Sequence, residues 1–225
     1  MLFDLRSRRR RGTVRVIYIL LAIVMVVGLV GLGIGTGNSG GLLNAGGNGG
    51  SGGNNNSLNT RQVNNAIKAV HKHPTAANWA ALMAARYGAA SSGYNSTTGV
   101  YSKAGRDQLQ KGADAWQQYL TASGSKPSLN NAILAARIYQ NLGQWSNETQ
   151  AWNYAAQSAT GADRLKPFYC LALSAYASKQ TTKGDLAVAQ TLALTPKLQR
   201  LTQKSAFQEA KSSPTTAQQS LVANC

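Results

Sequence analysis

Few residues in this 225-residue chain could act as acids, bases, nucleophiles or metal ligands. It holds two histidines, two cysteines and seven carboxylates against 23 lysines and arginines, a formal net charge of +16. His71 and His73 are two apart on an apparent helix, so they point to different sides and cannot grip one metal as an i, i+4 pair does. They serve as polar or cationic residues near a helix C-terminus. Asp107 and Asp114, with Lys111 between them, describe a solvated helix face carrying an i, i+4 ion pair. No glycine-rich phosphate loop follows a strand. The inventory predicts no enzyme, no metal and no cofactor.

Cys170 and Cys225 offer one further piece of chemistry. In an oxidising compartment two cysteines suffice for one bridge. Closing a loop of about 56 residues would contribute roughly 4 kcal/mol by restricting the unfolded chain. Two readings stand: a disulfide that staples the C-terminal tail onto the last helical hairpin, or a buried free Cys170 with a loose terminal thiol.

The compartment follows from Val16 to Ile34, nineteen consecutive residues without a charge. As a helix they span roughly 28 Å, close to the hydrocarbon thickness of a bilayer. Arg6, Arg8, Arg9, Arg10, Arg11 and Arg15 precede the stretch, and the 25 residues after it contain no lysine or arginine. The asymmetry predicts a single-pass plasma-membrane protein with a cytoplasmic N-terminus and an extracytoplasmic C-terminal domain. A cleavable secretory signal is the competing reading. It is disfavoured because the apolar run exceeds the usual length and ends in glycines rather than an A-x-A site. Gly31 with Gly35 and Gly33 with Gly37 have the spacing that lets two membrane helices approach, so a homodimer is a candidate beside simple fraying of the helix end.

The remaining organisation is a basic tail over 1–15, the membrane helix over 16–34, a Gly/Asn-rich flexible linker over 35–56, a helical domain over 57–212 and a C-terminal tail over 213–225. Ten of the nineteen residues from 35 to 53 are glycine, which gives a flexible coil reaching about 25 Å. Beyond the linker, 17 basic residues face 6 acidic ones. That balance suits a solvated surface, or attraction to anionic lipid or acidic wall polymer. Nucleic acid is not expected, because no recognition motif accompanies the charge.

Apolar spacing predicts helices throughout this domain. Val63, Ala66, Ile67 and Val70 form one face ending near Pro74, and Trp79, Leu82, Met83 and Tyr87 form the next. Gly88 to Gly99 reads as a loop. Tyr101 to Thr121 carries Leu109, Ala113, Trp116 and Leu120. Leu134, Ile138 and Leu142 precede Gly143, and Trp145, Thr149, Trp152 and Ala156 follow it, which reads as two antiparallel helices joined by a tight turn. Asp163 to Lys179 and Lys183 to Leu194 supply two more, and an eighth holds Leu198 and Leu201. No stretch alternates with period two, so the expected class is all-α without a sheet.

A spacing recurs along these helices. Trp116 to Trp152 is 36 residues and Tyr139 to Tyr176 is 37; Tyr87 to Tyr139 becomes about 36 if the loop near 88–103 is an insertion. Stacked helical pairs have such periods. On Trp79 and Leu82, on Tyr139, Leu142, Gly143, Trp145, Trp152 and Ala155, and on Tyr169, Ala172, Tyr176 and Thr195-Pro196, the chain resembles the tetratricopeptide repeat (TPR) family. It departs from that family's pattern at Ala132 in place of an opening tryptophan, at Glu148 where a small residue is usual, and at Gln180 near the last turn.

The resemblance implies an extracytoplasmic α-solenoid of stacked TPR-like helical hairpins, each burying its apolar face against its neighbours, capped by the helices after Pro196. It also implies a concave groove for a partner peptide or protein, lined by Tyr87, Asn130, Ile133, Arg137, Gln140, Asn141 and Ser174. Arg137 and Asn141, four apart on one face, suit a peptide carboxylate or backbone. The expected function is a membrane-anchored protein–protein interaction scaffold, accessory to secretion or envelope assembly. A basic structural module contacting anionic lipid or cell-wall polymer is the alternative.

Overall fold

Hydroxyl side chains mark several of the helix starts. Thr75, Ser102, Ser128 and Ser213 each accept a hydrogen bond from the backbone N–H three residues on, at 3.1–3.4 Å, satisfying donors that a first helical turn leaves open. The computed structural model describes residues 55–225, with side chains from Ser57 onward. The basic tail, the apolar stretch at 16–34 and all but the last two linker positions lie outside the described residues. Among the described residues no helix is long and apolar enough to cross a membrane.

The described chain is mostly helical: α1 (Asn55–Lys72), α2 (Ala76–Ser91), α3 (Lys103–Ala122), α4 (Leu129–Leu142), α5 (Trp145–Ser158), α6 (Leu165–Ala177), α7 (Thr181–Leu194), α8 (Arg200–Ser212) and α9 (Pro214–Asn224), with short 3-10 turns before α6 and α8. Each helix packs on the next; α2 with α3, α4 with α5 and α6 with α7 make the closest pairs. The described residues agree with an all-α class, and one part of the expectation, that no strands pair, is corrected. Tyr94–Asn95 (β1) and Val100–Tyr101 (β2) pair antiparallel inside the segment expected to be loop. The Asn95 side chain accepts from the backbone N–H of Thr97 and Thr98, and this local turn closes the hairpin. In addition, α2 runs past Gly88 to Ser91.

The core is built from large side chains set among alanines. Met83, Leu109, Trp116, Ile138, Trp152 and Leu173 are buried beside Ala132, Ala135, Ala136, Ala155 and Ala172, and the small residues let helix backbones close on the bulky ones. Trp116 stacks on Tyr119 and meets the ring of Tyr154 edge-on, a geometry that adds to simple burial.

The spacing of 36 is present in the backbone as well as in the apolar pattern. Gly143 and Lys179 both adopt positive φ, 69° and 61°. The next residues, Gln144 and Gln180, share φ, ψ of −92°, 66° and −89°, 63°. Gln144 N–H donates to Tyr139 O and Gly143 N–H to Gln140 O; Gln180 N–H donates to Ala175 O and Lys179 N–H to Tyr176 O. This is one helix-ending turn made twice, 36 residues apart. Ala159 and Thr195, again 36 apart, end α5 and α7 with φ, ψ of −77°, 142° and −80°, 138°. Trp116 and Trp152 occupy matching buried positions on α3 and α5.

Gly112, Glu148 and Gly184 follow the same interval and are all buried. A Cβ on Gly184 would overlap the Tyr176 ring, and one on Gly112 would stand 3.2 Å from Ile138 Cδ1. Packing is tight around both glycines, and in the α4–α5 pair Glu148 stands at the same interval with no exposed surface.

The C-terminal segment corrects a second expectation. Residues 213–225 are not a tail: Ser213 caps α9, Pro214 opens it, and Ala217 and Leu221 are fully buried where α9 packs on α6 and α8. Pro at the first helical position after a serine cap is a start signal. Cys170 on α6 and Cys225 at the end of α9 are joined, with Cα atoms 5.9 Å apart and a sequence separation of 55. In α8 the inward residues are Phe207 and Ala210 rather than the expected Leu198 and Leu201, which face solvent.

Candidate functional site

Helix α4 packs on α5, α3 and α2, and what it leaves uncovered forms a strip. Its apolar face, Ala132, Ala135, Ala136, Ile138 and Tyr139, is spent on the core. Asn130 and Arg137 are exposed, and Ile133, Gln140 and Asn141 are half-buried. From Asn130 to Asn141 the helix rises about 16 Å, enough for several residues of a peptide.

Each end of the strip has its own chemistry. At the start of α4, Asn130 and Ile133 line a cleft of about 630 Å³ with Lys166, Tyr169, Gln203 and Asn224. At the far end Asn141 Nδ2 donates to the Tyr101 hydroxyl at 3.3 Å. The Tyr101 ring lies 4.9 Å from that of Tyr94, tilted. Burial raises the Tyr101 hydroxyl above its ordinary pKa, and the neighbouring Tyr87 and Tyr94 hydroxyls add to the rise; it stays protonated at neutral pH and can donate. Three tyrosines from α2, β1 and β2 thus gather beside Asn141.

Arg137 lies between these ends. Among the described residues the ion pairs are Lys111 with Asp107 at 2.7 Å and Lys211 with Asp185 at 2.8 Å, and neither involves Arg137. The strip offers an exposed guanidinium, two amides and phenolic hydroxyls around an apolar half-buried Ile133. Such a set binds carboxylate and peptide-backbone groups.

Of the residues expected in a groove, Tyr87 and Asn141 meet through Tyr101, and Asn130, Ile133 and Arg137 share the open face of α4. Gln140 is different: its Nε2 is buried and has no partner among the described residues. Ser174 is a correction. It has no exposed surface, its hydroxyl donates to Leu171 O at 3.1 Å, and it cannot touch a partner. Every residue from Cys170 to Ala177 is buried, because α5, α7, α8 and α9 all pack on α6. His71 and His73 are exposed at the end of α1.

Tyr94 and Tyr101 were not among the expected site residues. Their signal was Asn95 and Gly99 between two tyrosine-bearing dipeptides, a hairpin signature short enough to pass for loop. Comparison with known protein families, curated proteins and solved structures gives no match to this chain.

Proposed function

We propose that the chain is a membrane-anchored, extracytoplasmic TPR-like scaffold that captures a peptide segment of another protein along the open face of α4. The observation that carries this reading is the exposed Arg137, in no ion pair among the described residues, midway between the cleft at Asn130 and Ile133 and the tyrosines at Asn141. A guanidinium so placed holds a carboxylate while amides and phenols hold the backbone beside it. The strip supplies hydrogen bonds and charge rather than a positioned nucleophile and base, which makes its task binding.

The repeat reading is supported by the turn made at both Gly143 and Lys179 and by the close-approach positions Gly112, Glu148 and Gly184. A helical pair with one apolar face needs a neighbour to bury it, and 36 residues is the length of such a unit. Export is supported by the arginine-flanked apolar stretch at 16–34 and by the joined Cys170 and Cys225, since disulfides persist outside the cytoplasm. A role beside secretion or envelope-assembly machinery fits this layout.

The test is a photoreactive residue in place of Asn130, exposed on the same strip with Arg137 kept, in the full chain, irradiated in intact membranes, with adducts identified by mass spectrometry. One dominant protein adduct is expected. Arg137→Ala should then weaken capture of that protein roughly ten-fold, the scale of one charge-assisted bond, with the helical circular dichroism and melting temperature unchanged. Undiminished capture by Arg137→Ala would remove the site.

A further inference from the structure

We infer that the connection between α7 and α8 is a membrane-surface contact that docks on an anionic lipid headgroup layer. Leu198 is 98% exposed and Leu201 is 81% exposed, and Leu194 at the end of α7 and Leu186 two turns earlier are exposed as well. Leu198 sits in the 3-10 turn Lys197–Gln199, and Leu201 in the first turn of α8. Leucines turned almost wholly to water are costly unless something covers them.

The turn is fixed from within. Arg200 Nε donates to Thr195 O at 2.9 Å and Nη2 reaches Ala193 O at 3.5 Å, satisfying carbonyls at the end of α7. Thr195 is buried; its hydroxyl donates to Thr191 O at 2.8 Å and also bonds the Gln203 side chain. The backbone that presents Leu198 and Leu201 is thereby held in place, so covering them costs little ordering.

Charge selects the occupant. From Leu186 to Gln208 the chain carries Lys197, Arg200 and Lys204 and no Asp or Glu. The carboxylate just before this stretch, Asp185, is occupied by Lys211 and the Tyr176 hydroxyl. Exposed apolar side chains flanked in sequence by lysine and arginine match the boundary between anionic headgroups and acyl chains. A second copy of this chain would bring the same positive collar and be repelled. A leucine-tipped turn also falls far short of the roughly 800 Å² per partner of a stable protein interface. The inference rests on described residues alone and does not require 16–34 to span a bilayer; if they do, this tip is a second contact that orients the domain.

The experiment uses the full chain with Cys170 and Cys225 kept oxidised. Leu198→Cys carries a nitroxide, and a separate chain carries it at the exposed Gln157 as a control. Collision rates with oxygen and with a water-soluble nickel chelate are compared in detergent, in phosphatidylcholine vesicles and in phosphatidylcholine vesicles containing phosphatidylglycerol. Expected is a several-fold rise in the oxygen-to-nickel ratio at 198, confined to the phosphatidylglycerol vesicles, abolished by high salt or by K197E with K204E, with no change at 157. A nickel-accessible label at 198 in all three preparations overturns the inference. So does a label shielded from both reagents, which means protein packed against it, or an equal change at 157. Flotation of the chain with pure phosphatidylcholine vesicles reads out the anchor separately.

Discussion

Gly143 and Lys179 stand 36 residues apart and turn the chain the same way, both with φ near +65° (69° and 61°), although only one of them is a glycine. In that region a Cβ meets the following carbonyl oxygen, at a cost of about 1–2 kcal/mol. The α6–α7 turn therefore carries strain that the α4–α5 turn lacks. Apart from its own chain neighbours and the adjoining helix backbone, no atom lies within 4 Å of where a Gly143 Cβ would be, so a side chain there would meet conformational strain and no clash with the rest of the fold.

From this, Lys179→Gly should raise stability by about 0.5–1 kcal/mol after allowing for the greater freedom of glycine in the unfolded chain. Gly143→Ala should lower it by a similar amount. Urea unfolding checks both: the midpoints should move in opposite directions with unchanged slopes. Midpoints moving together would show that the two turns are not equivalent.

Gly184→Ala should cost about 1–3 kcal/mol, the range for forcing an extra methyl into a packed site. The Tyr176 ring occupies the space a Cβ would need, and it cannot swing aside freely. Its hydroxyl donates to Asp185 at 2.8 Å, and Asp185 is held by both contacts of the Lys211 ammonium, at 2.8 and 2.9 Å. Gly88→Ala, with nothing within 4 Å of the new Cβ, is the control and should be neutral or stabilising. Thermal melts of the two variants decide: equal melting temperatures would mean that the α6–α7 pair has room to relax.

Much of this architecture was legible from spacing. Leu134, Ile138 and Leu142 before Gly143, and Trp152 after it, marked the α4–α5 pair because glycine and a 3.6-residue period point the same way. The interval from Trp116 to Trp152 already carried the 36-residue spacing. Lys179 hid the equivalent turn, since a lysine at positive φ has no local signature. Helix α9 was missed because Thr, Gln and Ser dominate its surface and its buried residues are only Ala217 and Leu221. The site reflects the same gap: α9 is one of four helices packed on α6, and Ser174, expected on an open face, is buried. Tyr94 and Tyr101 lay beyond periodicity altogether, because two-residue strands have no alternation to detect.

Glu148 makes stability fall as pH rises. It is fully buried; Trp152 Nε1 donates to its Oε1 at 3.1 Å, while its Oε2 has no partner among the described residues. By the 36-residue equivalence it and Gln140, whose Nε2 is likewise unpartnered, occupy the places of Gly184 and Tyr176, which touch. Burial pushes the Glu148 carboxyl up from 4.5 to about 8, the Trp152 hydrogen bond opposing part of the rise. The folded chain keeps this proton up to about pH 8, and the unfolded chain releases it near pH 4.5. Between those values unfolding releases a proton, so the contribution of Glu148 is complete below pH 4.5 and is lost progressively up to about pH 8, at most about 1.4 kcal/mol per pH unit. Asp185, lowered by its bonds from Lys211 and Tyr176, works in the opposite sense and below this window. Glu148→Gln keeps the shape and removes the titration. It should flatten stability between pH 5 and 8 and make the variant more stable than the parent by a few kcal/mol at pH 8. The check is a series of urea unfolding curves across that range, followed by tryptophan fluorescence, since ionisation beside the Trp152 indole should also shift its emission. If parent and variant lose stability in parallel, the proton released on unfolding comes from another group.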